Sequence, residues 1–393
     1  MQRKTSHISA FITLVIRECK RMVSRPLYFF GMIFVPLFCF LFFPSLMKQG
    51  LPKNIPIGLV DEDNSSLSRR IGRNLDAMEL TQIVHQYESV SKAREAIQKN
   101  EIYGFMYLPV NLSKDVKAQR QPKISFYTNN AYIVPGSLLF KDMKRMSELT
   151  AAAVNRELMY ARGASENKVL ATLQPIVIES YALGNPWLNY SIYLTNILLP
   201  GLLGLMIFMM TVYAIGVEIK DNTAREWLSI GNHSVTLALT GKLFPHTIVF
   251  FLMGAIYNIY LYGILNYPIN SGIFPMLLAT FFFILASQAF GIFMITVMPS
   301  LRMGLSFASL WGMISFSISG FSFPAIAMYA PLQAVGYLFP LRHYYLIYVS
   351  QALNGYPLIY AWKYYIFLLL FILFPFLTQG RLKKALIYFK YIP

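Results

Sequence analysis

Long apolar stretches alternate with polar segments along the chain and predict six membrane-spanning helices. A helix of about 20 apolar residues crosses a hydrocarbon core of about 30 Å with its backbone hydrogen bonds satisfied internally. Six stretches reach this length: residues 27–47, 191–217, 243–265, 275–298, 303–323 and 358–377. The first contains Pro36 and Pro44 and lacks a small-residue cleavage site, so we expect it to stay in the membrane rather than to be removed as a signal peptide.

The short polar flanks of these stretches predict their orientation. Lys and Arg residues precede the first stretch, lie between the second and third, follow the fourth and follow the sixth, whereas residues 266–274 have none. With six spans, all four cationic flanks lie on one side of the membrane, which the positive-inside rule makes the cytoplasm. We therefore predict that both termini are cytoplasmic and that residues 48–188 are extracytoplasmic.

Residues 1–26 alternate apolar and cationic positions at roughly helical spacing. This pattern is typical of an amphipathic helix that lies on the cytoplasmic membrane surface before the first span. A second interpretation stays open, in which the segment is a positive flank that only fixes the topology.

Residues 48–188 alternate strand-like and helix-like patterns. Four short strands separated by helices predict a small α/β domain with helices packed on a sheet, and residues 135–162 predict one long helix ending at Gly163. Asp61, Glu62 and Asp63 follow the first strand, and we interpret them as turn residues rather than as a metal site. No set of residues in the chain has the composition of a catalytic or metal site.

Composition agrees with a polytopic α-helical membrane protein that carries an inserted α/β domain. The 393 residues are 56% hydrophobic and 13% charged, whereas a soluble domain has about 25% charged residues. The net charge of +16 is spread along the chain, so it indicates membrane topology rather than nucleic-acid binding. The two cysteines, Cys19 and Cys39, lie outside the inserted domain, which therefore has no disulfide.

Residues 218–242 form a compact charged loop between the second and third spans. Thr223 and Glu226 have the spacing of a capping box, which predicts a helix that carries Trp227 and Ile230 and stops at Gly231. From these residues alone, two roles stay open: a helix that lies on the lipid surface, or a helix that docks on a partner protein.

The order of motifs resembles the type-2 (ABC-2-type) permeases of ATP-binding-cassette exporters, and most closely the subgroup with a large extracytoplasmic domain after the first span. The resemblance covers almost the whole chain. It is carried by Glu218, Thr223, Glu226, Trp227, Leu228, Ser234, Gly241, Lys242, Leu243 and Pro245, by the segment IGLVDEDNSSLSRRI, and by PLRHYYLIYVSQALNG before the last span. One departure is the segment KDNTARE, where the family often has a Glu-Gly-Thr-type run.

This resemblance implies that the loop is the coupling segment that docks on a separate ATPase subunit. Its implied coupling residues are Glu218, Thr223, Glu226, Trp227, Leu228, Ile230 and Lys242. The chain lacks a phosphate-binding G-x-x-x-x-G-K-[ST] motif, so ATP and Mg²⁺ are expected on the partner, and the chain itself is expected to be a non-catalytic permease without a cofactor. Further implied partners are a second permease subunit, identical or not, and a periplasmic adaptor protein.

The absence of Asp and Glu from the six stretches bears on the energy source. Ion-coupled carriers depend on ionisable residues within their spans, so this absence disfavours such a carrier and favours a partner ATPase as the energy source. Phe and Met are abundant in the stretches, which suits a hydrophobic or amphipathic substrate. The resemblance implies export of this substrate from a bacterial inner membrane. His246 and His343 lie near span ends, where we expect interfacial positions rather than a proton relay. The alternative function is an envelope scaffold whose extracytoplasmic domain binds a partner without transport.

Two features of the last third of the chain predict packing and gating. Gly304, Ala308 and Gly312 recur at every fourth residue, which gives the fifth span a small-residue face for contact within the chain or with a second subunit. Residues 324–357 contain apolar segments too short to cross, broken by proline and glycine, and we predict an outer re-entrant pair there. The predicted outer gate comprises Pro324, Pro340, Arg342 and His343.

Overall fold

A computed structural model describes residues 6–389, and the chain divides into two compact units. The inserted domain comprises Leu51–Tyr181. The membrane unit comprises the chain before Leu51 and the chain from Ala182 onward. The sequence predicts an inserted domain at residues 48–188, which begins three residues before this unit and ends seven residues after it.

Two helices open the membrane unit: α1 (His7–Ser24) and α2 (Pro26–Leu46). Arg25 separates them in an extended conformation, because a proline disfavours helical geometry in the residue before it and is well accommodated at the first position of the next helix. One face of α1 buries Ala10, Leu14 and Glu18 against the bundle. Another face is exposed and apolar, as in a helix that lies in the headgroup region of a bilayer; it includes Ile8, Ile12, Ile16 and Val23.

The inserted domain has the alternating strands and helices that its sequence predicts. Its elements are β1 (Ile55–Asp61), α3 (Ser66–Asp76), β2 (Thr81–Gln86), α4 (Val90–Gln98), β3 (Gly104–Leu108), α5 (Leu112–Lys117), β4 (Ser125–Thr128), α6 (Ile133–Ala161) and α7 (Glu166–Leu173). The sheet order is β2-β1-β3-β4, with β1 parallel to both of its neighbours and β4 antiparallel to β3. The predicted long helix is α6, whose 29 residues end two positions before Gly163.

The three carboxylates after β1 have separate structural partners. Asp61 Oδ1 accepts hydrogen bonds from the backbone N–H groups of Asp63 and Asn64, which confirms its predicted turn role. Glu62 instead accepts from the Tyr107 hydroxyl at 2.8 Å, and Asp63 accepts from the Ser113 backbone N–H at 3.2 Å. These contacts tie the turn to β3 and α5.

The rest of the membrane unit is helical. Its helices are α8 (Tyr190–Lys220), α9 (Ala224–Ile230), α10 (Val235–Ile264), α11 (Ile273–Val297), α12 (Leu301–Ile318), α13 (Ala330–Gly336), α14 (Pro340–Tyr348) and α15 (Trp362–Tyr388). Among residues 6–389, six helices are long and apolar enough to cross a membrane, namely α2, α8, α10, α11, α12 and α15. The predicted number of spans is confirmed, but α8 continues past residue 217 and α10 begins at Val235 rather than at residue 243.

The small-residue face of α12 packs against α8 of the same chain. A Cβ atom on Gly304 would lie 2.9 Å from Val212 Cγ1, and one on Gly312 would overlap the Leu205 side chain. Ala308, between them, is fully buried. Close approach of α12 to α8 therefore depends on residues without bulky side chains.

The segment of the predicted outer gate forms short helices. Pro324 is exposed, whereas Pro340 is the first residue of α14 and is buried. Arg342 Nη1 donates to the Gln333 carbonyl oxygen at 3.2 Å. His343 is enclosed by protein rather than exposed at an interface: its Nε2 lies 3.0 Å from the Tyr337 carbonyl oxygen, and its ring stacks on Phe367. The gate role of these residues stays a prediction.

Candidate functional site

Charged side chains from α1, α8 and α10 meet at one enclosed point, which we call the ionic junction. Its members are Arg17, Glu18 and Arg21 of α1, Glu218 of α8, Thr223 before α9, and Lys242 and His246 of α10. Glu218 and Lys242 belong to the predicted coupling residues, and the structure brings them into direct contact. Arg17, Glu18, Arg21 and His246 were not among the predicted coupling residues.

Glu218 is the acceptor at the centre of the junction and is completely buried. Arg17 donates to both of its carboxylate oxygens, at 2.6 and 3.0 Å, in a bidentate pair. Lys242 Nζ donates to Oε1 at 2.8 Å, and both Arg21 and the Thr223 hydroxyl also donate to this carboxylate. A buried carboxylate is tolerated only when charge partners and hydrogen bonds compensate its lost hydration, and Glu218 has four donors.

Glu18 is the second buried carboxylate and is 1% exposed. Lys242 Nζ donates to its Oε2 at 2.6 Å, and His246 Nε2 lies 2.9 Å from its Oε1. Burial opposes ionisation of Glu18, but the hydrogen bond from His246 and the charge of Lys242 outweigh burial and lower its pKa to about 2. Among residues 6–389, His246 Nδ1 has no hydrogen-bond partner, so the ring proton belongs on Nε2, where it is donated to Glu18.

Close packing also holds α1 against α10. A Cβ atom on Gly241 would lie 2.7 Å from Leu14 Cβ, a distance that real side chains do not reach. Glycine therefore permits the contact between the two helices. The Phe11 and Phe244 rings meet edge to face, with centroids 5.6 Å apart.

The predicted helix after Thr223 is present as α9, and Gly231 follows its last residue. The predicted capping box is wrong, because the Thr223 side chain makes no capping hydrogen bond. The hydroxyl donates to Glu218, five residues earlier, and its oxygen accepts from Arg21 Nη2 at 3.3 Å rather than from a backbone N–H group of α9. The side-chain contact that begins α9 is thus also part of the ionic junction.

The two faces of α9 have different environments. Ala224, Trp227 and Leu228 are buried against the bundle, and Lys242 Nζ lies 5.3 Å from the Trp227 ring centroid. Arg225, Glu226 and Ser229 are exposed, and Ile230 is half-buried. Arg225 Nη2 donates to the Ile387 carbonyl oxygen at the end of α15. Trp227 therefore anchors α9, and the residues open to a partner lie on the opposite face.

The second predicted span ends earlier than the helix that contains it. Glu218 lies within α8, because the helix runs three residues past its predicted end at residue 217. His246, for which we expected an interfacial position, is completely buried within the protein and contacts Glu18. One signal in the sequence could have indicated the junction: Glu18 is the sole carboxylate before Asp61, in a segment rich in cations.

The family model described as ABC-2 family transporter protein matches residues 26–378. The chain belongs to the ABC-2 transporter family. The match covers α8, α9 and α10 but begins after α1, so the helix that supplies Glu18 lies outside it. A search of curated proteins finds no match.

Membership makes the chain a multi-pass membrane protein of the ABC transporter permease type. Such permeases are typically non-catalytic, and the family implies partnership with an ABC ATPase subunit and a location in a lipid bilayer.

Proposed function

We propose that the chain is the permease subunit of an ATP-driven exporter, in which α9 docks on a separate ATPase and the ionic junction transmits the resulting movement to the spans. The observation that carries this proposal is the two-sided environment of α9. One face is buried on the bundle and the other is exposed, and Thr223, directly before α9, binds Glu218 of α8 and Arg21 of α1.

The junction is suited to transmit force because its pairs are buried. Separating Lys242 from Glu18 or from Glu218 would leave a charge in a site closed to water, which costs several kcal/mol. The ends of α8 and α10 and the whole of α1 therefore move together. Glu226 lies on the exposed face of α9, within one turn of Thr223, so a partner that binds Glu226 moves the helix that begins at the junction.

The same proposal includes the orientation of the chain in the membrane and its assembly with other subunits. The cationic flanks place α1, α9 and the end of α15 in the cytoplasm, and an even number of spans is consistent with this arrangement. The inserted domain is then periplasmic, in a bacterial inner membrane, where it offers a surface for an adaptor. Two permease subunits would pair with two ATPase subunits and export a hydrophobic or amphipathic substrate.

Co-purification with the candidate ATPase tests the proposal. Glu226→Lys reverses a charge on the exposed face of α9, and Glu101→Lys makes the same change in the inserted domain as a matched control. We expect Glu226→Lys to lower both ATPase binding and ATP turnover in the complex several-fold, while Glu101→Lys leaves both unchanged. Equal binding by both variants, or no binding by the native chain, would instead favour the envelope scaffold.

A further inference from the structure

A cavity of about 340 Å³ lies between α10, α11 and α15, with Phe11 of α1 at its rim. This volume is at the lower end of the range for small-molecule sites, which is about 300–1,000 Å³. Most of the side chains around it are apolar, including Leu239, Leu243, Phe244, Phe281, Leu285 and Phe376. The cavity is separate from the ionic junction, whose charged residues do not line it.

Gln288 supplies a polar group to the wall of this cavity and is 3% exposed. The Thr247 hydroxyl lies 2.8 Å from Gln288 Oε1, and Gln288 Nε2 has no hydrogen-bond partner within the described chain. If the amide is flipped, Thr247 accepts one of its two N–H groups and the other is still free. In either orientation a buried donor is left unpaired, at a cost of about 1–3 kcal/mol.

The depth of Gln288 in the bilayer follows from helix lengths. With 30 residues at about 1.5 Å each, α10 is about 45 Å long and exceeds a hydrocarbon core of about 30 Å. If the core begins near Ile264, it ends close to Thr247, which contacts Gln288. The amphipathic helix α1 reaches the same level, since Phe11 lines the cavity. Gln288 therefore lies near the depth of lipid ester groups.

The two ends of the cavity differ in polarity. At the end nearer α1, the Thr236 hydroxyl lies 3.1 Å from Gln379 Oε1. Phe281 and Leu285 precede Gln288 on α11 and extend the wall one to two turns further into the hydrocarbon core. Outside the cavity, α10 exposes an apolar stripe to the surrounding bilayer that includes Ile248, Leu252 and Ile256.

We propose that this cavity binds one acyl chain of a membrane glycerophospholipid from the leaflet in which α1 lies. The buried Gln288 amide turns toward the cavity and donates a hydrogen bond to an ester carbonyl of the lipid, the chain extends along Leu285 and Phe281, and the headgroup faces Thr236 and Gln379. A carbonyl oxygen pairs the otherwise unsatisfied amide, and the chain fills an apolar space that is open to lipid. The proposal concerns a resident lipid and does not depend on transport.

Native mass spectrometry of the full chain tests this site. The protein is purified in mild detergent, equilibrated with equal amounts of phosphatidylethanolamine and phosphatidylglycerol, and analysed for lipids that survive detergent removal. Gln288→Leu removes the donor, Ala289→Phe fills the cavity, and Leu252→Phe on the exposed stripe is the control. We expect one retained lipid, lost in Ala289→Phe, bound about two- to tenfold more weakly in Gln288→Leu, and unchanged in Leu252→Phe.

Equal retention by the native chain and by Gln288→Leu would overturn the proposal, and this comparison stands even if Ala289→Phe fails to fold. An amphiphile that leaves the cavity during ATP turnover with the candidate ATPase would also overturn it, since the occupant would then be cargo. If Glu226→Lys fails to bind the ATPase, by contrast, its lipid retention should still equal that of the native chain. The two proposals therefore fail independently.

Discussion

Lys242 donates a hydrogen bond to Glu18 at 2.6 Å, between two positions that are 224 residues apart in the chain. Both side chains are 1% exposed, so this contact is a buried ion pair rather than a surface one. Lys242 also pairs with Glu218, and this second bond makes it the link between the two carboxylates. Lys242 is therefore shared by a carboxylate of α1 and a carboxylate of α8.

Lys242→Met should be strongly destabilising. The substitution removes the ammonium group but keeps a long apolar side chain, so it leaves two buried carboxylates with fewer partners. Removing one partner of a buried pair costs about 3–5 kcal/mol. The measurement is thermal unfolding of the detergent-purified chain, with proteolysis of α1 as a local readout. Lys20→Met, at an exposed position of α1, is the control and should change stability by less than about 0.5 kcal/mol.

A double-mutant cycle separates the energy of the Lys242–Glu18 ion pair from the other effects of each substitution on stability. Adding Glu18→Gln to Lys242→Met removes the uncompensated charge at Glu18, so the double variant should lose less stability than the sum of the two single losses. Strict additivity would contradict a direct interaction between these side chains.

Gly241→Ala should displace α1 from α10. The added Cβ would meet Leu14 Cβ at 2.7 Å, and overpacking of this kind costs about 1–3 kcal/mol. Leu14→Gly in the same chain should restore part of the loss, because it removes the Cβ atom that the new methyl group would meet. Gly380→Ala, where no atom lies within 4 Å of the added Cβ, provides the control. Thermal unfolding of the four forms checks the prediction, and an equal loss in Gly380→Ala would refute it.

The sequence predicted those elements whose signals are local. Residue alternation and turn residues were enough for β1 to β4, and the approximate positions of the spans followed from apolar length. Gly231 correctly marked the end of α9. These features depend on neighbours within a few residues, which is the range over which hydrophobic periodicity is informative.

The ionic junction could not be predicted in the same way. Hydropathy ended the second span at residue 217, immediately before Glu218, because an isolated carboxylate is costly in a membrane. In the folded chain Arg17, Arg21 and Lys242 compensate that charge, so α8 continues through it. Such compensation comes from residues far away in sequence, and a single sequence does not show which distant charges pair.

Acid should weaken the junction within a defined pH range. The pKa of Glu18 is lowered from 4.5 to about 2, so its ionised form is stabilised by folding. That contribution is complete above about pH 4.5 and is lost as the pH falls towards 2. Trp227, whose ring lies 5.3 Å from Lys242 Nζ, provides a fluorescence signal for this range. In Glu18→Gln the change should be smaller, and an identical acid transition in both proteins would rule out Glu18 as its source.

A larger side chain at the contact between α8 and α12 should destabilise the chain itself rather than a contact between two subunits. In Gly312→Val the new side chain would overlap Leu205, so we expect a loss of about 1–3 kcal/mol in thermal unfolding, partly restored by Leu205→Ala. Leu310→Val, on the exposed face of α12, is the control and should have little effect. Rescue measured on the monomeric chain identifies the contact as intramolecular. If Gly312→Val instead altered only the oligomeric state, measured by light scattering, with monomer stability unchanged, the small-residue face would belong to a subunit interface.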